Sequence, residues 1–337
     1  MENTTAVGKP RVNQKKLQIF LLDHVIEIFL AVLIIYLTIR MDSFMTWSNW
    51  MNILRSNSLK GVIALGMTMV IIAGMIDLSI GSTVALAGVI VARCCRDFTA
   101  GGMDLNTACI IGILISFAVA ILIGWLHGTF QHRMGMPAFI VTLVTLNALY
   151  GLAGIVSGGY PIANQFPQWF NQLGMGRVGG QNGVPIPAIV LIISFLVILF
   201  IMNYTTTGRS VYAVGGNPES ARLSGINVGK TKIIAFVAVQ IFAVISGFMN
   251  SGQVMAGSFS FGRGWELDVI SAVVIGGSSM SGGIGTVWGT LIGIIFMGVI
   301  TNGMTLLNFD IYTQYVVRGI IMFLAVLISS YRAKVKA

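Results

Sequence analysis

Charge is what this sequence most lacks. Lys and Arg number 20 and Asp and Glu 11, together 9% of 337 residues, where soluble chains of this kind carry about 25%. That deficit excludes a soluble domain. Cysteine is nearly absent too: Cys94, Cys95 and Cys109 show no C-x-x-C or Cys/His spacing. A metal or redox centre is therefore not expected, and the three are read as small apolar packing residues. The sequence also has no HExxH, no G-x-S-x-G and no P-loop, so no catalytic constellation or ATP-hydrolysing site is recognisable. The net charge of +9 comes without a soluble basic module bearing stacking aromatics, which argues against nucleic acid as a partner.

What is abundant is apolar sequence, 55% of the chain, with a mean hydropathy of +0.87. It falls into blocks long enough to cross about 30 Å of hydrocarbon as helices. Ten are distinguished, at 18–39, 59–76, 80–93, 107–130, 137–157, 185–203, 232–253, 267–281, 284–302 and 311–331. The fold expected is an all-α polytopic membrane protein with about ten transmembrane helices (8–10), with short broken or re-entrant segments, forming a single transmembrane domain over 1–337. Between the first two blocks, Trp47, Trp50, Met51 and Leu54 recur at helical spacing. Residues 44–58 are therefore expected to lie at the membrane interface as a short amphipathic helix.

Basic residues set the orientation, because Lys and Arg accumulate on the cytoplasmic side. Lys9, Arg11, Lys15 and Lys16 lie in the tail 1–16, and Arg332, Lys334 and Lys336 in the tail 332–337. Both tails are expected to be cytoplasmic, and so is the loop 204–232, which holds Arg209, Arg222, Lys230 and Lys232. Arg93 and Arg96 run against this pattern, partly offset by Asp97.

Two blocks are short and broken. "AGMIDLSIGSTVALAG" (73–88) and "VVIGGSSMSGGIGTVWGTLIG" (273–293) interrupt apolar sequence with glycine, serine and Asp77. Short glycine-broken segments in two halves of a chain point to the central pathway of a transporter. Asp77, Ser79, Asn147, Tyr150, Gly277, Ser278 and Ser279 are the pathway candidates. A carboxylate at membrane depth is costly, and Asp77 has two open uses: capping the helix after it through the N–H groups near Ser79, or meeting a solute. Arg263, Glu266 and Asp268 are candidates for a gate or a docking point on the outer side, with Arg263 able to neutralise one acid. Gly285, Gly289 and Gly293 form a GxxxGxxxG ridge that suits helix packing. His127 is expected as a satisfied interior group, and Gln240 as an interhelical hydrogen-bonding group.

One polar stretch is fully punctuated. In "GGNPESARLSGINVGK" (215–230), Asn217 suits an N-cap, Pro218 the first helical position and Glu219 the positive helix end. Gly225 suits the left-handed residue past the helix end. The body, Pro218, Glu219, Ser220, Ala221, Arg222, Leu223 and Ser224, makes about two turns. A helix that short does not persist alone, so it is expected to dock on a partner protein.

The spaced motifs "GMIDLSIGS" (74–82), "MPAFIVTL" (136–143), "GRSVYAVGGNPESARLSGINVGKTK" (208–232), "GWELDVISAVVIGGSSMSGGIGT" (264–286) and "QYVVRGII" (314–321) resemble the permease subunits of bacterial ABC importers, in the ribose/galactose/arabinose/autoinducer-2 branch. The resemblance runs from about residue 45 to the C-terminus. Where that family has G-x-x-N-G, this chain has "GWLHG" (124–128), with His127 at the asparagine position. The resemblance implies a multi-pass subunit of the bacterial inner membrane that forms a homodimer or a paralogous heterodimer. It also implies a periplasmic solute-binding protein and a cytoplasmic ATPase subunit that uses ATP and Mg, with no cofactor held by this chain. The family's coupling helix falls on Asn217–Gly225. The solute implied is a monosaccharide or sugar-like molecule. A neutral, hydroxyl-rich solute suits a charge-poor pathway, whereas an anion wants arginine within the spans, where only Arg318 stands out. The alternative is an ATP-independent carrier or channel for a small neutral solute, against which stands the near isolation of Asp77 as an intramembrane ionisable group.

Overall fold

The structure, a computed structural model, describes residues 25–336, with side chains except at Val25, Ala325 and 328–336. The expected tail 1–16, its basic residues and positions 18–24 of the first block lie outside the described residues. Thirteen helices carry the described chain: α1 (Val25–Arg40), α2 (Trp47–Ile72), α3 (Ile80–Ala100), α4 (Leu105–Arg133), α5 (Ala138–Ser157), α6 (Gln168–Met175), α7 (Ile186–Tyr204), α8 (Thr206–Gly216), α9 (Pro218–Leu223), α10 (Val228–Val254), α11 (Trp265–Ile275), α12 (Val287–Leu306) and α13 (Ile311–Lys336). Four two-residue strands, β1 (Ile162–Ala163), β2 (Arg177–Val178), β3 (Val184–Pro185) and β4 (Ala256–Gly257), form two small antiparallel pairs, β1 with β4 and β2 with β3. Among the described residues five helices, α4, α5, α7, α10 and α12, are long and apolar enough to cross a membrane by themselves. The chain is an all-α polytopic membrane protein.

Local chemistry sets the helix starts. Asp104, Asn227 and Thr286 each cap with a side-chain oxygen, accepting from Thr107 N (3.1 Å), Lys230 N (2.9 Å) and Gly289 N (2.9 Å). At the centre stands α2, whose residues from Leu59 to Ile72 are all buried except Lys60. A helix apolar all round must be wrapped on every side. Here α7, α10, α11 and α12 supply that wrapping. The outward residues of α4, α5 and α7 stay apolar, among them Leu114, Val144, Ile155, Ile193 and Phe200, as a lipid-facing surface requires.

Contacts between helix ends define two faces. On one, carrying α9, Gly229 packs on the ring of His132 and Gly215 on the end of α2. On the other, the distal face, β1 pairs with β4, Trp47 donates its indole N–H to Asn182 O (2.7 Å), and the amides of Asn49 and Asn302 bond each other (3.1 and 2.8 Å). The element order then gives ten passes between the faces: α1, α2, α3 with its extended leader, α4, α5, α7, α10, α11 with segment 276–286, α12 and α13.

Two expectations change. Residues 44–58 do not form a separate interfacial helix, because the helix beginning at Trp47 runs unbroken to Ile72. Glycine and proline are absent from 47–60, and Asn49 and Asn57 find partners inside the protein, with Asn57 donating to Ile294 O. The block at 267–281 is not one helix either. It stops at Ile275, and 276–286 is irregular, with Gly277, Gly282 and Gly283 at positive φ.

Candidate functional site

Two arrangements bring the sequence candidates together, and the first is a junction made almost wholly of backbone. The chain turns off α2 at Gly74, where φ is +78°, a conformation that glycine alone adopts freely. Gly283 N donates to Ile72 O (2.8 Å). From α8, Gly215 comes so close to that carbonyl that a Cβ would lie 1.7 Å from it. Gly282 in turn abuts Gly215 O and Gly74 Cα, where its Cβ would sit at 2.6 and 2.9 Å. Tyr212 of α8 donates its hydroxyl to Gly285 O (2.9 Å). The two broken segments and the start of the polar stretch thus meet at one point, where glycine lets backbone lie directly against backbone.

Immediately beyond the junction lies α9. Asn217 Oδ1 accepts from Ser220 N (2.9 Å), Pro218 is the first helical residue, and Gly225 takes φ +82° after the end. Ala221 is buried against Val214 and Val228, which fixes the helix to its neighbours. Leu223 points outward at 75% exposure. Glu219 and Arg222 are also exposed and paired (2.6 and 3.1 Å), and the guanidinium holds the Glu219 carboxyl below the usual carboxylate range.

The second arrangement is a buried polar cluster where the start of α3 meets α4 and α10. Asp77 Oδ1 accepts from the Ser79 N–H (2.8 Å) and hydroxyl (2.7 Å). Gln240, midway along α10, donates to Asp77 Oδ2 (2.8 Å) and to Ser79 Oγ (2.9 Å), and accepts from Thr83 Oγ1 (2.6 Å). His127 Nδ1 stands 3.4 Å from Asp77 Oδ2, its ring edge-on to Phe236. Asp77 therefore bonds the backbone near Ser79, and it also ties that turn to α10. It is not isolated. His127 itself differs from expectation: it is buried, yet neither ring nitrogen has a hydrogen-bond partner.

The remaining candidates divide between these arrangements and the distal face. Ser278 is buried and Ser279 N bonds Ile284 O (2.9 Å), both within the irregular segment that also holds Gly277. Tyr150 meets Arg263 and Glu266: the guanidinium lies 4.9 Å from its ring centre, and a Cβ on Gly81 would touch both Tyr150 Oη and Glu266 Oε2. Asn147 stands apart, exposed and bonded to Leu143 O of its own helix (3.1 Å). Arg263 does not neutralise Asp268. That carboxylate pairs with Lys60 of α2 and lies 3.6 Å from Arg318 of α13. On the glycine ridge, Gly289 and Gly293 pack against Gly276 O and Ala272 O, whereas Gly285 precedes α12 and lies beside Ser278 and Ile72.

Sequence reasoning passed over Lys60 and Thr83. Lys60 had a signal, since a lone cation inside an apolar block is a site hypothesis by default. Thr83 had none, because its partner lies 157 residues away.

The model of the branched-chain amino acid transport system permease component family matches residues 49–326. The chain belongs to this family. It is 35% identical over 311 residues to the ribose import permease protein of Escherichia coli, covering 92% of this chain and 94% of that one. To the ribose import permease protein of Bacillus subtilis it is 35% identical over 299 residues, 89% and 90% of the two chains. To the L-arabinose transport system permease protein of Escherichia coli it is 34% identical over 308 residues, 91% and 90%. No solved structure matches it.

Proposed function

We propose that this chain is the membrane subunit of an ATP-driven importer, forming the pathway for a monosaccharide or sugar-like solute. The full-length similarity to ribose and L-arabinose permeases supports the solute class. The glycine junction carries the mechanism, because it joins α8 and α9 rigidly to both broken segments. In this proposal α9 faces the cytoplasm and docks on a separate ATPase subunit through Glu219, Arg222 and Leu223. The ATPase supplies ATP and Mg chemistry, and this chain binds no cofactor. Closure of the ATPases pushes α9, and the backbone contacts at Gly74, Gly215 and Gly282–Gly283 pass the displacement to segments 73–79 and 276–286. The distal face then receives solute from a periplasmic binding protein near Arg263 and Glu266, and a second permease copy or paralogue completes the assembly in the inner membrane, with both tails cytoplasmic.

The test uses the whole importer in lipid nanodiscs, with and without its binding protein. Replacing Glu219 with Lys and Arg222 with Glu together keeps the helical pair and reverses its sign at the docking surface. Solute-stimulated ATP hydrolysis should fall to the unstimulated rate. Wild-type stimulation in that variant removes α9 as the coupling element. Uptake that persists without ATP and stops when the ion gradient collapses assigns the chain to the carriers instead.

A further inference from the structure

The distal half of the molecule holds a chamber whose charge does not suit a neutral solute. A cavity of about 340 Å³ lies between the starts of α11 and α13 and is lined by Lys60, Arg263, Trp265, Asp268, Tyr315 and Arg318. That is within the range of about 300–1,000 Å³ usual for small-molecule sites. Three cations face it against one carboxylate. Asp268 pairs with Lys60 and approaches Arg318, which leaves Arg263 without an acidic partner in the lining. Arg263 lies instead over the Tyr150 and Phe259 rings (4.9 and 6.0 Å). Arg318 Nε is buried and has no hydrogen-bond partner. An unpaired donor on a cation at this depth is costly, and a forked guanidinium matches a carboxylate.

The chamber adjoins a second cavity of about 280 Å³, which shares Lys60 and Asp268 and sets the polar groups Asn52, Asn57, Thr301 and Asn302 among apolar neighbours such as Ile294 and Met297. A cationic compartment beside a mixed one that offers amides and hydroxyls on part of its apolar wall fits a molecule with an oxyanion at one end and hydroxyls on a carbon ring at the other. We propose that these chambers hold an anionic, hydroxyl-rich solute of the uronate class, its carboxylate between Arg263, Arg318 and Lys60 and its hydroxyls on the amide side. This rests on the importer reading and refines its solute from a neutral sugar to a sugar acid.

The probe pair is D-galacturonate and D-galactose, which differ at one carbon. Each is titrated at constant ionic strength into the full chain in phosphatidylcholine nanodiscs, following tryptophan fluorescence, to which Trp265 in the chamber wall contributes. Galacturonate should give a saturable change, and galactose a response at least about tenfold weaker, about 1.4 kcal/mol. Trp265→Phe should remove the signal. Arg263→Gln, at an exposed position, and Lys60→Gln should each weaken galacturonate by about tenfold. Equal responses to the two probes, a galactose response alone, no galacturonate response, or a signal that survives Trp265→Phe each overturns the proposal. Loss of the galacturonate response when phosphatidylglycerol replaces part of the phosphatidylcholine assigns the cations to lipid phosphate, and also overturns it. A galactose-only result leaves the importer reading intact, since the ATPase-coupling test decides that separately.

Discussion

The two broken segments solve the same problem by opposite means. Both carry irregular backbone inside a membrane domain, where every unpaired peptide group is expensive. Segment 73–79 is held by side chains: Asp77, Ser79 and Gln240 make directional bonds, with Thr83 and His127 around them. Segment 276–286 is held by closeness, its glycines lying against the backbone of α12, α8 and Gly74. Directional bonds resist rotation of the segment relative to α10. At Gly74, Gly215 and Gly282 backbone meets backbone directly, and Tyr212 adds one hydroxyl bond from α8 to Gly285 O. Both segments meet α8 at the glycine junction, and the side-chain network ties the first of them to α10 as well.

Substitutions at the junction should have the largest effect. Gly215→Val places atoms where Ile72 O already stands, and the variant should lose both uptake and a monodisperse peak in size-exclusion chromatography. Gly216→Ala, one residue on, meets nothing within 4 Å and should retain both. If the two behave alike, steric closeness is not what holds segment 276–286.

On the other side of the comparison, Asp77→Ala strips the acceptor from Ser79 and Gln240. Removing one partner from a buried charged network costs about 3–5 kcal/mol, so a clear drop in Tm is expected, with Asp77→Asn falling less. Gln240→Leu leaves the Asp77–Ser79 turn intact and removes only its tie to α10. A smaller loss, about 1–3 kcal/mol, should follow. Should Gln240→Leu cost as much as Asp77→Ala, the turn depends on α10 for its existence and not merely for its position.

The smallest effect belongs to the exposed pair on α9. Glu219→Gln should leave Tm unchanged, because surface pairs contribute little. The Glu219 carboxyl titrates lower in the folded protein than in the unfolded chain, so any stabilisation from the pair is present above the unfolded value. It is lost only as pH falls through the folded value. Thermal unfolding should therefore show no dependence on this pair across neutral pH. A neutral-pH step that vanishes in Glu219→Gln would show the pair to be more deeply engaged than its exposure indicates.

Legibility follows sequence distance. The punctuation of α9 was readable because Asn217, Pro218, Glu219 and Gly225 act on each other within a few residues. The two broken segments were visible as glycine within apolar blocks. The amphipathic stretch at 44–58 was misjudged because its spacing describes a face and does not say where a helix ends. Asp77 read as nearly alone because Gln240 lies 163 residues away and His127 has no spacing relation to it. The Lys60–Asp268 pair, 208 residues apart, was equally hidden.

By itself the sequence determined the membrane class and the capped helix, since apolar block length and local capping are short-range physics. Only the tertiary structure decided which groups face each other: that Asp77 is tied to α10, that Arg263 stands over Tyr150 and not beside Asp268, and that Gly74, Gly215 and Gly282 share one point. Those outcomes depend on which helices touch, and helix contact is set by shape complementarity between residues far apart in the chain.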